Sequence, residues 1–146
     1  MQKCLFMAFV CCALGPAVWA RQTEEPGIRQ TLRHYLQAHV TGNPEHLKKA
    51  FHPDAKLVFV REGKLAQMTL DEYAKRFAGK PAEDKVQRKR NIESIEIDGN
   101  AAMVRMTFYY PATFTTDFIL LLKLDGEWRI VSKSFHVRAK PKPATN

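Results

Sequence analysis

The chain has 146 residues, 23 basic and 15 acidic side chains, and a formal net charge of +8. That length suits one domain with a real core, and one domain is expected. All three cysteines, Cys4, Cys11 and Cys12, lie within residues 1–20, so the remainder holds no thiolate for catalysis, zinc or iron–sulfur ligation.

Residues 1–20 begin with Lys3, continue through an apolar run over 4–14, break at Gly15-Pro16 and end in Val18-Trp19-Ala20. This is the layout of a secretory signal too short to span a bilayer, with cleavage expected after Ala20. Cleavage removes Lys3 and no acid, which leaves +7. The expectation is an exported protein, periplasmic or secreted, with no stable membrane insertion afterwards. Basic residues cluster at 85–90 and 138–142. An exported basic protein meets anionic lipid, glycans or acidic ligands sooner than nucleic acid, so no nucleic-acid partner is expected.

Ile28, Leu32, Tyr35, Leu36, His39 and Val40 fall on one stripe of a helix that Gly42 closes, with Pro26 in its first turn. Asn43-Pro44-Glu45 predicts an N-cap and a short second helix with Leu47, Ala50 and Phe51 inward, ended by His52-Pro53-Asp54. Residues 56–60 and 65–68 predict a strand pair around Arg61-Glu62-Gly63-Lys64. Thr69 with Glu72 is a capping box, and Leu70, Tyr73 and Phe77 make the inner face of a third helix ended by Gly79. Residues 86–98 and 101–110 then flank the turn Gly99-Asn100, and a closing hairpin over 115–137 turns at Asp125-Gly126. The order predicts an α+β domain over 21–138, with helices on one face of a strongly bent sheet and a disordered tail over 139–146.

In the closing hairpin Phe118, Leu120, Leu122 and Leu124 alternate with Ile119 and Leu121. A strand apolar on both faces must be covered on both. The helices cover one, which predicts a homodimer through the other sheet face.

Several side chains could form a site. Tyr35 and His39 are four apart on the helix stripe and both project toward the sheet. Tyr35 could donate a hydrogen bond to a ligand oxygen, with His39 as a second contact or proton shuttle. Asp117 sits among Thr113, Thr115 and Thr116, either as a pocket acid or as an acceptor for local donors. Lys133 and His136 lie on opposite faces of a regular strand, so one of them faces a pocket unless a bulge intervenes. Phe59, Tyr73, Phe77, Tyr109 and Phe114 with Tyr35 would line an aromatic cavity or fill it. His34, His39, His46, His52 and His136 form no recognised ligand motif, and the chain has neither a glycine-rich phosphate loop nor a nucleophile-elbow serine. No metal and no cofactor are expected.

Tyr35 with Gly42-Asn43, Phe51-His52-Pro53-Asp54-Ala55, Gly63 with Leu65, Thr69 with Glu72, and Asp117, Leu121-Leu122-Lys123, Asp125-Gly126, Trp128, Ile130, Lys133 and Phe135 together resemble the nuclear transport factor 2-like superfamily. The pattern is most similar to its putative lumazine-binding branch. The resemblance implies a cone-shaped fold with a pocket between three N-terminal helices and a mainly antiparallel concave sheet. It does not fix function, because relatives include isomerases, dehydratases, cyclases and binding modules. One relative, ketosteroid isomerase, works with a general-base Asp and an oxyanion hole of a Tyr and a protonated Asp. Tyr35 matches its Tyr, but Phe59 and Leu120 stand at the matching acid positions, which argues against that activity. The residues favour an exported, non-catalytic module for a small hydrophobic or aromatic ligand, with His136 added to the lining. The alternatives are an isomerase, dehydratase or cyclase using Tyr35 with His39 or Asp117, and an interaction protein using the sheet face.

Overall fold

A computed structural model of the protein describes residues 16–141, with side chains from residue 23. Most of the expected signal and the end of the tail, residues 1–15 and 142–146, lie outside the described residues.

The first helix, α1 (Pro16–Thr41), is longer than the stripe predicts and holds Pro26 in its interior. Around the proline the helix is anchored to the sheet by Glu24, whose carboxylate accepts from Trp128 Nε1 (3.0 Å) and Lys123 Nζ (2.7 Å). Ile28, Leu32, Tyr35 and Ala38 form the buried face, each 0% exposed, while Val40 turns out to solvent. Each large apolar side chain buried there contributes about 1.5–3 kcal/mol. In α2 (Glu45–Ala50) the Asn43 side chain accepts from the Glu45 amide at 3.0 Å, as its position before Pro44 predicts.

The strands are β1 (Phe51–Arg61), β2 (Lys64–Thr69), β3 (Lys89–Asp98), β4 (Ala101–Tyr109), β5 (Thr113–Leu124) and β6 (Glu127–Ala139). They form one six-stranded sheet in the order β2-β1-β6-β5-β4-β3. Only the β1–β6 pair is parallel. Phe51, predicted inside α2, instead opens β1, and the irregular stretch between Phe51 and Lys56 accommodates Pro53. Between β2 and β3 lies α3 (Leu70–Ala74), whose Thr69–Glu72 capping box is complete: Thr69 Oγ1 accepts from the Glu72 amide and Glu72 accepts from the Thr69 amide. This helix is shorter than predicted, and β3 starts later, because a 3-10 turn over Lys85–Gln87 precedes it. Ala139, predicted to begin a loose tail, is paired with Thr113, and the Lys140 amide donates to Ala112 O at 2.9 Å.

Two backbone features position the site, one at the end of α1 and one on β6. Gly42 has φ +71°, and a Cβ there would stand 2.0 Å from the Lys80 carbonyl oxygen. Its own carbonyl accepts from the Gly79 amide at 2.9 Å, so the end of α1 is fastened to the segment after α3. Leu120 of β5 pairs with Ser132 of β6 and Leu121 with Ile130, which leaves Val131 on β6 as a bulged residue. The bulge reverses the alternation: Trp128 and Ile130 are buried before it, Lys133 after it.

Beneath the helices, Leu57, Val104, Met106, Phe108, Ile119 and Leu121 complete the core from the concave side. The opposite face carries Met103, Phe118 and Leu120, between 43% and 45% exposed, with Leu120 directly opposite Met103 across β4 and β5.

Candidate functional site

Under α1 the concave sheet encloses a cavity of about 180 Å³. Its floor is a buried polar cluster on three elements. Tyr35 (α1) donates through its hydroxyl to Asp117 Oδ2 (β5) at 2.6 Å. Lys133 (β6) donates to that same Oδ2 and to the Tyr35 hydroxyl oxygen, both at 3.0 Å. The Lys133 and Asp117 side chains are 6% and 3% exposed. Of the three N–H donors of the ammonium, two are thus spent on protein. Asp117 Oδ1, by contrast, is buried and has no protein donor.

The wall above this floor is aromatic. The Lys133 ammonium lies 4.8 Å from the Phe135 ring centroid and 5.0 Å from that of Tyr73. Phe108 and Tyr110 close the β4 side. Across the cavity, Tyr73 Oη and His39 Nε2 are 3.0 Å apart. His39 is wedged edge-on between Tyr35 and Phe77, with ring centroids 4.9 and 5.2 Å away.

Charge states follow from the burial. Burial, then the Asp117 carboxylate, pushes the Tyr35 phenol well above its ordinary pKa, so it stays a donor. Burial, then the cations of Lys133, Arg90 and Arg88, holds His39 well below the ordinary imidazole value, so at neutral pH the ring is uncharged. For Lys133 burial opposes the charge, but Tyr73, the Asp117 carboxylate and its hydrogen bond outweigh it and raise the pKa. The floor is therefore an ammonium–carboxylate pair capped by a phenol.

Tyr35, His39, Tyr73 and Asp117, all expected at a site, meet here. Phe59 does not line the cavity: it stacks on Phe135 with ring centroids 4.8 Å apart at the rim. Phe77 backs His39 and faces a neighbouring cavity. Tyr109, Phe114 and His136 are corrections. Tyr109 and Phe114 sit on the far side of the sheet, rings 6.4 Å apart, because alternation on β4 turns Phe108 inward and on β5 turns Thr115 and Asp117 inward. His136 is exposed and Lys133 buried because of the bulge at Val131. Asp117 accepts neither from backbone nor from threonine among the described residues; its partners are Tyr35 and Lys133. Leu120, matched at the turn to an acid of ketosteroid isomerase, is 43% exposed on the outer face. The acid beside Tyr35 in space is Asp117.

That cluster cannot repeat the oxyanion hole of ketosteroid isomerase as it stands. Tyr35 spends its proton on Asp117, and a carboxylate paired with an ammonium has no proton to donate. The donor left for a ligand is Lys133. Among the described residues no group of three or more His, Cys, Asp or Glu side chains could hold a metal ion.

Residues 23–136 match the family described as "Putative lumazine-binding". An NTF2-like protein of unknown function from Shewanella baltica OS155 superposes with TM-score 0.72 at 26% identity, over 80% of this chain and 95% of that one. Another, from Methylobacillus flagellatus KT, gives TM-score 0.68 at 32% identity, over 80% and 94%. A curated relative, "Aldolase FrzH" of Cladobotryum sp, is 29% identical over 104 residues, 70% of this chain and 82% of its own. The cone with its pocket under the first helix, and a profile match across nearly all of the folded residues, place the chain in the putative lumazine-binding family of the nuclear transport factor 2-like superfamily.

Proposed function

We propose that the domain binds a small flat ligand bearing a cyclic-amide edge, an oxygen acceptor beside an N–H donor. The observation that carries this is the pairing, on one cavity floor, of the remaining Lys133 N–H with the unpartnered Asp117 Oδ1. A buried acceptor without a donor costs about 1–3 kcal/mol, and a ligand N–H recovers it. The rings of Tyr73, Phe108, Tyr110 and Phe135 suit a planar partner. Pteridinediones carry such an edge, in keeping with the family description. Export, argued from residues 1–20, and a homodimer through the Met103–Phe118–Leu120 face complete the reading.

Titration of the domain from residue 21 with lumazine and with its N-methylated derivatives, followed by calorimetry and melting temperature, tests the edge. Lumazine should raise the melting temperature and N-methylation should abolish the effect. Equal binding of both, or binding of neither, overturns the proposal.

A second reading has one specific support: a proton-accepting pair faces the cation across the cavity. Tyr73 can pass its proton to neutral His39 Nε2 while its oxygen takes one from a carbon next to a ligand carbonyl, and the resulting enolate oxygen rests on Lys133. Enolate formation is the first half of aldol chemistry, the activity named for the Cladobotryum relative. Deuterium uptake by a bound ketone in D2O, lost in Tyr73→Phe, supports it; no uptake above buffer refutes it.

A further inference from the structure

Behind the His39–Tyr73 wall lies a second cavity of about 400 Å³, between the end of α1 and the segment after α3. His39, Tyr73 and Arg76 line both cavities. We propose that this second cavity is a binding subsite for a carboxylate or phosphate, with Arg76 and Arg88 as its anion-holding residues.

Three observations converge on it. First, Arg76 stands at the junction of the two cavities with no ion pair or hydrogen-bonded acceptor for its guanidinium among the described residues. Second, Arg88 also lines the cavity; its Nη2 pairs with Asp84 at 2.7 Å and its guanidinium lies 4.9 Å from the Tyr110 ring centroid, yet its Nε is buried without an acceptor. The stacking and the ion pair fix the guanidinium at the cavity wall. Third, the lining is unbalanced, with Arg76, Lys80 and Arg88 against Glu83.

The cavity is also built to persist. Gly42 and Gly79 are joined through backbone at 2.9 Å, which holds the segment carrying Lys80 against α1. An anion there has two possible sources, a free anion or the acidic tail of the ligand whose flat ring occupies the first cavity. The second source rests on the proposed cyclic-amide reading, whereas the subsite does not.

The test separates them. Inorganic phosphate is titrated at constant ionic strength into the isotope-labelled domain, with the arginine Nε–H resonances observed by NMR. The Arg76 and Arg88 signals should move along a saturating curve, and Arg76→Gln, an exposed position that leaves the fold intact, should weaken the saturation by about tenfold or more, the scale of one charge-assisted contact. Linear drift without saturation, or an unchanged curve in Arg76→Gln, overturns the subsite. Pterin and pterin-6-carboxylate, which differ by one carboxylate, form the second arm. Tighter binding of the acid in wild type but not in Arg76→Gln assigns the subsite to the ligand tail. Phosphate saturation without that preference assigns it to a free anion. Failure of either pterin to bind counts against the cyclic-amide reading and leaves the phosphate result standing.

Discussion

Asp117→Ala is the sharpest test of the buried floor. Asp117 and Lys133 are 3% and 6% exposed at the side chain, so solvent screens their pair little. The substitution strips the ammonium of its carboxylate and Tyr35 of its acceptor in one step. Breaking one side of a buried pair costs about 3–5 kcal/mol, mostly from the charge left behind. For a domain of this size that lowers the melting temperature by roughly 10–20 °C. Urea unfolding followed by tryptophan fluorescence measures it, since Trp128 is buried at the α1–β6 contact. Lys133→Met with Asp117→Asn removes both charges and keeps an acceptor for Tyr35, so it should lose only about 1–2 kcal/mol. A loss below about 1 kcal/mol in Asp117→Ala, or a double variant as unstable as the single one, would refute the argument that the uncompensated charge dominates. The pH dependence supplies an independent sign. In wild type the Lys133 pKa is raised, so its contribution is complete below the ordinary lysine range and disappears as pH climbs through the folded value. In Asp117→Ala burial acts with less opposition, the folded pKa falls, and stability should instead rise with pH.

Other substitutions probe the remaining supports. His39 is depressed, so the unfolded state binds the extra proton first and wild-type stability should fall as pH drops below about 6.5; denaturation midpoints of His39→Gln between roughly pH 5 and pH 8, the window an imidazole titrates in, should decline less steeply than in wild type, the remaining slope coming from His34, also held below its ordinary value by burial. Gly42→Ala combines a φ of +71° with a Cβ 2.0 Å from Lys80 O, so the segment after α3 must part from α1; hydrogen exchange of the Gly79 amide should accelerate, and unchanged protection would count against the clasp. Thr69→Ala removes the acceptor for the Glu72 amide and the hydroxyl bond to the Glu72 carboxylate, and should cost about 1 kcal/mol in urea unfolding. Leu120→Lys places a charge at the centre of the Met103–Phe118–Leu120 patch; light scattering should give a dimer for wild type and a monomer for the variant, and a wild-type monomer would contradict the two-face argument.

The folding elements were legible because each is signalled locally. Asn43 before Pro44 and Thr69 with Glu72 are satisfied by contacts within a few residues, which the structure makes, and Asp125-Gly126 turns with both residues at positive φ. Strand alternation also carries the placement of Phe114 and Tyr109: the period that puts Ile119 and Leu121 inward puts Asp117 inward and Phe114 outward, and a count from Val104 and Met106 gives Phe108 and Tyr110, not Tyr109. The choice between Lys133 and His136 is different in kind. Counting in twos from Trp128 and Ile130 brings His136 to the concave face, and nothing in Ile130-Val131-Ser132 announces a bulge. The bulge is set by pairing with two partners at once, the hairpin neighbour β5 and the parallel β1, and β1 is distant in sequence. One unpaired residue therefore exchanges an imidazole for an ammonium on the cavity floor. That exchange decides the chemistry: Asp117 becomes the partner of a cation, Tyr35 becomes its cap, and the only proton the floor can offer a ligand is carried by a side chain whose inward placement depends on strand register.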